Sequence, residues 1–264
     1  MLEAAEGGEP VLVASILEPG PRDLRQGQRL LVELSGGRMG SLGDAALDEL
    51  VADFAREAFR EHFAGTVYAG GDGLSRRAIA GATSIYLEVV ESRPVFLVVG
   101  AGHVGRAVAR LAKFTGFEVA VIDDREDYAN PELIPDADQV ICDDFARALD
   151  AFPINRNTHV VLVTRGHKQD ELSLRHCLGR GAAYLGMIGS RRRSATVIEH
   201  LLAEGFPLEE LAKVRTPIGL DIGAESPEEI AVSILAEVIM LRNGGRGGPM
   251  YARPAHLREP SPAS

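Results

Sequence analysis

Residues 95–123 read VFLVVGAGHVGRAVARLAKFTGFEVAVID, and this stretch decides the fold. Val95–Val99 is a short, wholly apolar run of the kind that forms a strand buried on both faces. Apolar residues then recur at helical spacing over His103–Thr115, and Phe117–Ile122 is a second strand. Between the first strand and the helix stands Gly100-Ala101-Gly102-His103-Val104-Gly105, the pattern GxGxxG, and the second strand runs into Asp123. In that setting Gly100 permits a tight turn, Gly102 lets backbone approach a pyrophosphate, and Gly105 lets helix pack close to strand. The helix start at His103 and Val104 offers N–H groups and a positive dipole end to phosphate. Asp123 is placed to accept a hydrogen bond from a ribose 2′-hydroxyl, which favours NAD over NADP, although Arg125 beside it works the other way. The expectation is a Rossmann-like domain that binds a dinucleotide.

Downstream the alternation continues. Gln139–Cys142, Thr158–Thr164 and Ala182–Ile188 have strand character, with helical patterns over Lys168–Leu178 and Ser190–Ala203. Such alternation implies a parallel sheet covered by helices on both faces. Ser226-Pro227-Glu228-Glu229 is a capping box with proline at the first helical position. It opens a last helix carrying Ile230, Val232, Ile234, Leu235, Val238, Ile239 and Leu241 on a largely buried face, ended by Asn243-Gly244-Gly245. Arg246–Ser264 is proline-rich and reads as a mobile tail.

Upstream the rhythm differs. Val11–Leu17 and Leu30–Leu34 are short apolar strands, Asp44–Phe63 is an amphipathic helix, and Gly65–Ala69 and Ser84–Val90 are strands around a turn at Gly70–Gly73. Strands, helix, then strands suggest a small α+β domain, joined by Glu91-Ser92-Arg93-Pro94 to the Rossmann-like one. The expected fold class is therefore α/β, with domains at 1–92 and 93–243 and a tail at 244–264.

Composition narrows the function. The chain has 264 residues, 45% hydrophobic and 25% charged, with 28 Lys+Arg against 38 Asp+Glu and a net charge of −10. That balance suits a soluble globular protein and disfavours nucleic acid or an anionic membrane as main partner. Met1–Pro10 lacks the pattern of a secretory signal, and no apolar run reaches the ~20 residues of a membrane span. The cytoplasm is the expected location. Cys142 and Cys177 are too few for a disulfide framework or an all-cysteine metal site, and both read as buried thiols.

In a doubly wound sheet, ligands sit at the carboxyl ends of the strands. Three further segments follow such ends: Thr164-Arg165-Gly166-His167-Lys168-Gln169-Asp170, Gly189-Ser190-Arg191-Arg192-Arg193, and Thr216–Glu225 with Asp221. Arg165, His167 and Lys168 can grip an anion, Gly166 and Gly189 let backbone approach it, and Ser190 with Arg191 forms a second phosphate-type helix start. Against this, an arginine run is commonly a solvated helix face, and His159, His176 and His200 read as surface or packing residues. No zinc or haem spacing, nucleophile elbow or Walker loop is present, and no catalytic residue is assigned.

At these segments the chain resembles the xanthine dehydrogenase accessory factors (XdhC/CoxI). VVGAGHVGRAVARLA, GFEVAVIDDR, VTRGHKQDELSL, YLGMIGSRRR and TPIGLDIGAESPEEIAVSILAEVI all look like that family's C-terminal domain. The resemblance implies a non-enzymatic maturation chaperone for molybdenum hydroxylases such as xanthine, aldehyde or carbon monoxide dehydrogenases. It implies binding of molybdenum cofactor (molybdopterin), sulfuration by a cysteine desulfurase, delivery to the apo-hydroxylase, and a homodimer. The N-terminal third departs from the family. Where members carry GSVGGGCVE, this chain has Gly40-Ser41-Leu42-Gly43-Asp44-Ala45-Ala46-Leu47-Asp48, with Ala46 at the cysteine position. A thiolate for molybdenum is absent there, and Asp44 adds negative charge. Two alternatives stand beside this reading: an NAD(P)-dependent oxidoreductase and a non-catalytic nucleotide sensor.

Overall fold

The computed structural model describes residue 4 and residues 8–70 and 73–250. The middle of the expected Gly70–Gly73 turn, most of Met1–Pro10 before residue 8, and the last part of the expected tail, 251–264, lie outside the described residues. The chain divides into two compact units, the first running to Val95 and taking in Pro153–Thr158 and Arg180–Ala183.

The first unit contains β1 (Val11–Glu18), β2 (Arg29–Glu33), β3 (Arg38–Gly40), α1 (Ala45–Glu61), β4 (Ala64–Ala69), β5 (Leu74–Ser75) and β6 (Thr83–Val90). Its antiparallel sheet has the order β3-β2-β1-β6-β4-β5. Alternate residues of β1 (Leu12, Ala14 and Ile16) point to one face. There they meet Leu47, Val51, Ala55 and Ala58, which recur at helical spacing along α1. β3 and β5 are not foreseen by the sequence pattern. Arg38–Gly40 is exposed throughout and Leu74–Ser75 is too short to carry an alternation.

The second unit runs from β7 (Val95–Val99) through α2 (His103–Phe114), β8 (Glu118–Asp123), β9 (Gln139–Cys142) and α3 (Phe145–Ala151). It continues with β10 (Thr158–Leu162), α4 (His167–Cys177), β11 (Tyr184–Met187), α5 (Arg191–Ala203), the short α6 (Leu208–Leu211) and α7 (Pro227–Arg242). The strand order is β11-β10-β7-β8-β9. The chain therefore moves outward from β7 in one direction, returns, and moves outward in the other. The switch point of the sheet lies between β7 and β10, where open α/β sheets hold their ligands.

Both faces are covered. Phe96, Val98, Val119, Val121, Val161 and Val163 join Val108, Ala109 and Ala112 of α2 and Ala231, Ile234, Leu235 and Val238 of α7 in one core. The alternate residues Leu97, Val99, Ala120, Ile122, Val160 and Leu162 point the other way and are equally buried. His159 packs in the core against Phe96 and Phe117. α3 escapes the pattern reading, although Asp144 caps it through Ala146 N and Arg147 N. Two expectations need correction. Cys142 is exposed, because it ends an outer strand, whereas Cys177 is buried. On α7, Val232 (49%), Ile239 (36%) and Leu241 (40%) are exposed, so its apolar face is wider than the core it covers. The Ser226–Glu229 capping box is present in both directions.

Candidate functional site: the carboxyl ends of β7, β8, β10 and β11

The glycine loop at the end of β7 is shaped by contacts that leave no room for a side chain at two of its three glycines. Gly100 has φ +110°, and a Cβ there would stand 2.6 Å from the Val163 carbonyl oxygen of the next strand end. A Cβ on Gly105 would stand 1.8 Å from the Gly100 carbonyl oxygen, so α2 starts tight against the strand. Gly102 is different: nothing lies within 4 Å of the position its Cβ would take. It also caps α2 without any side-chain bond, so the first-turn N–H groups of His103 and Val104 have no capping side chain and are available to an anion. A backbone that is packed from below and clear above Gly102 can seat a phosphate group.

Asp123 is not arranged as the sequence suggested. Its side chain is 1% exposed, and each carboxylate oxygen accepts twice. Oδ2 takes the Ala101 N–H (2.7 Å) and Arg125 Nη2 (2.9 Å), and Oδ1 takes Arg125 Nε (2.8 Å) and Arg125 N (3.1 Å). Burial pushes its carboxyl up, but Arg125 and the two backbone donors outweigh that and hold it below the ordinary aspartate value. A carboxylate so engaged is a strut under the glycine loop. The guanidinium of Arg125, lying 3.4 Å over the Tyr128 ring, occupies the outer position.

Asp124, the next residue, bonds Arg165 Nη2 at 3.0 Å. Because β7 lies between β8 and β10 in the sheet, this pair links the loops on either side of the glycine turn. At the ends of β10 and β11 a cavity of about 210 Å³ is lined by Thr164, Arg165, Gly166, Gly189, Arg193 and Ser194, with Asp170 below. Asp170 accepts from the Thr164 N–H (3.0 Å) and hydroxyl (2.7 Å), fixing the loop that carries Arg165. Ser194 meets the Thr216 hydroxyl at 2.7 Å. Two helices begin at this cavity: α4 after Gly166 with no side-chain cap, and α5 after Ser190, whose hydroxyl accepts from Arg193 N. Such a site can hold a small anion through guanidinium and backbone donors.

The structure thus brings Arg165, Gly166 and Gly189 together and leaves Lys168, Ser190, Arg191 and Asp221 outside the cavity lining. The backbone of His167 opens α4. Arg193, part of the run that reads as a solvated face, lines the cavity instead of Arg191. Sequence reasoning also passed over Asp124, whose only signal was its place next to the fingerprint acid. A larger groove of about 800 Å³ between α2, residues 133–136 and α7 includes His103, Arg106 and Arg110. Among the described residues no group of three or more His, Cys, Asp or Glu is placed to hold a metal ion, and no helix is long and apolar enough to cross a membrane.

In the first unit, the departure at residues 44–46 has a physical form. Asp44 caps α1, accepting from Ala46 N (2.9 Å) and Leu47 N (3.3 Å), and its other oxygen pairs with Arg22. The Arg22 bond, with the helix N–H groups, holds the carboxyl below its ordinary value. The helix end that would meet an external anion already holds an internal one.

Comparison with known proteins follows the same division of the chain. Residues 96–238 match the XdhC Rossmann domain, and residues 4–68 match the XdhC and CoxI family. Among curated relatives, the uncharacterized protein YqeB of Escherichia coli is 31% identical over 94% of this chain and 46% of its own length. A probable xanthine dehydrogenase subunit of Bacillus subtilis is 34% identical over 61% of this chain and 46% of its own. The molybdenum cofactor insertion chaperone PaoD of Escherichia coli is 28% identical over 55% of this chain and 39% of its own. The chain spans less than half the length of each of these relatives. A solved Bacillus halodurans structure described as a xanthine dehydrogenase shares the fold, with TM-score 0.56 and 20% identity over 90% of this chain and 93% of that one. Two matches in chain order, one covering most of the sheet that carries the strand-end cleft, place this chain in the XdhC and CoxI family.

Proposed function

We propose that the protein is a maturation factor for a molybdenum hydroxylase of the xanthine, aldehyde or carbon monoxide dehydrogenase type, holding molybdenum cofactor and handing it to the apo-enzyme. Family membership and the relative named as a molybdenum cofactor insertion chaperone support this reading. The observation that carries it is the convergence of Arg165, Gly166, Gly189 and Arg193 on one cavity beside the clear backbone at Gly102. Those groups suit the phosphate of a pterin, since charge-assisted hydrogen bonds are the stronger class. When bound, the cofactor would supply the molybdenum chemistry of the client, and this chain's residues would bind and orient it. The binding domain is assigned to residues 93–243 and a divergent partner domain to 1–92. The remaining parts of the proposal are a homodimer, a cytoplasmic location and sulfuration of the cargo by a cysteine desulfurase.

The test is mass spectrometry of small molecules retained by native protein from a molybdenum-replete host, paired with activation of an apo-hydroxylase. A retained pterin phosphate and faster activation are expected. Protein free of pterin that also leaves activation unchanged would overturn the proposal.

A further inference from the structure

The end of the cleft beside β8 has a chemistry that the maturation reading does not use. Asp123 has no acceptor left for a ribose hydroxyl, because its four bonds are taken by Ala101 and Arg125. The nearest donor that remains is Arg125, and the nearest acceptor is Asp124 Oδ1, 3.8 Å from Arg125 Nε. Arg125 has Nε and Nη2 engaged by Asp123, and one face of its guanidinium lies on Tyr128. Nη1 and the opposite face are not engaged by either group, and the side chain is 24% exposed. A guanidinium held on two sides loses little freedom when it binds a further group. Arg106, from the first turn of α2, lies 6.0 Å from the same tyrosine ring. Asp124 stands 3.8 Å from Arg125 Nε, and its other oxygen is paired with Arg165. Arg125 and Arg165 thus flank two carboxylates, one of them buried, and Arg106 approaches the tyrosine on which Arg125 lies.

We propose that this corner is a phosphomonoester subsite built on Arg125 and Arg106, and that its ligand is a nucleotide phosphorylated on the ribose 2′ position. A free 2′-hydroxyl would seek an acceptor and find Asp123 already saturated. A 2′-phosphate would find donors. The glycine turn seats the pyrophosphate of the same ligand, with Gly102 as the point of closest approach. The assignment reverses the preference that an acid at the end of the second strand suggests, and it shares only the Gly102 backbone with the molybdenum proposal. The phosphate of a pterin offers the same chemistry from another source, so the experiment separates the two.

Calorimetric titration of the full chain with NADP⁺, NAD⁺, 2′,5′-ADP and ADP at low salt tests the subsite directly. NADP⁺ is expected to bind at least about tenfold tighter than NAD⁺, and 2′,5′-ADP tighter than ADP by a similar factor, in line with one charge-assisted hydrogen bond. Arg125→Gln should abolish the difference. Because that change also strips Asp123 of its partner, Arg106→Gln serves as the second variant. It keeps the buried strut, and should narrow the NADP⁺ preference by weakening NADP⁺ more than NAD⁺. Equal or tighter binding of NAD⁺ would overturn the proposal. So would a failure of all four nucleotides to bind, including the case in which 6-hydroxymethylpterin phosphate binds in their place. None of these outcomes bears on activation of an apo-hydroxylase, so the two proposals fail separately.

Discussion

Replacing Asp123 by alanine separates a structural strut from a ligand group. The side chain is buried, and its removal leaves the Ala101 N–H and the Arg125 guanidinium without their acceptor. Breaking a buried charge pair by deleting one partner costs about 3–5 kcal/mol, and partial exposure of Arg125 places this case near about 3. For a folding unit of this size that is a fall of roughly 6–12 °C in Tm. Asp123→Asn should fall by roughly half as much, since its carbonyl oxygen still accepts while its amide opposes the remaining donors. The folded carboxyl is held below its ordinary value, so its contribution is full above the unfolded pKa and vanishes as pH falls through the folded one. The gap between wild type and Asp123→Ala should therefore stay constant from neutral pH to about 5 and close below about 4. Thermal melts followed by circular dichroism across that range are the assay. Variants that melt within about 1 °C of wild type, yet lose nucleotide binding, would show that Asp123 serves a ligand and that the strut is wrong.

Three further outcomes are expected. Gly102→Val should fold with a cost of about 1 kcal/mol at the helix cap and lose ligand binding, whereas Gly105→Ala, with its Cβ 1.8 Å from a carbonyl oxygen, should fail to give a stable second unit in the same melts. Ser226→Ala should lower stability by about 1 kcal/mol through loss of the capping box, and ligand binding measured by titration should not change. Arg165→Ala should reduce cofactor retention read as bound molybdenum, while Ala46→Cys alone should not raise it, because Asp44 and Arg22 still close that helix end.

The architecture of the second unit was legible because its signals are local. Apolar strands, a helix-period run and a capping box each announce themselves within a few residues, and Ser190, Ser226 and the glycine turn stand where the pattern puts them. The site was legible only by segment. Which member of Arg191–Arg193 turns inward follows from the helical phase of α5: Arg193 stands four and eight residues before the buried Val197 and Leu201, a spacing that the reading of the run as a solvated face did not use. The partners of Asp123 were not legible either. An acid at a strand end can face out to a ribose or in to a loop, and the choice here is made by Arg125 two residues on. In the first unit, Asp44 signalled a helix start, but its pairing with Arg22 joins positions that no periodic pattern relates.

The position of β7 at the centre of its sheet has a consequence during synthesis. Phe96, Leu97, Val98 and Val99 are all fully buried in the finished protein, with β8 along one edge and β10 along the other. The ribosome delivers β8 and β9 well before β10, so β7 waits with one apolar edge unpaired while α3 is made. An uncovered apolar strand edge is a template for pairing with another chain, and pairings between distant segments form late. While residues 142–162 are being made, one edge of β7 therefore lacks the strand that covers it in the finished sheet. A truncation that ends anywhere in that interval should yield aggregates rather than a smaller soluble protein.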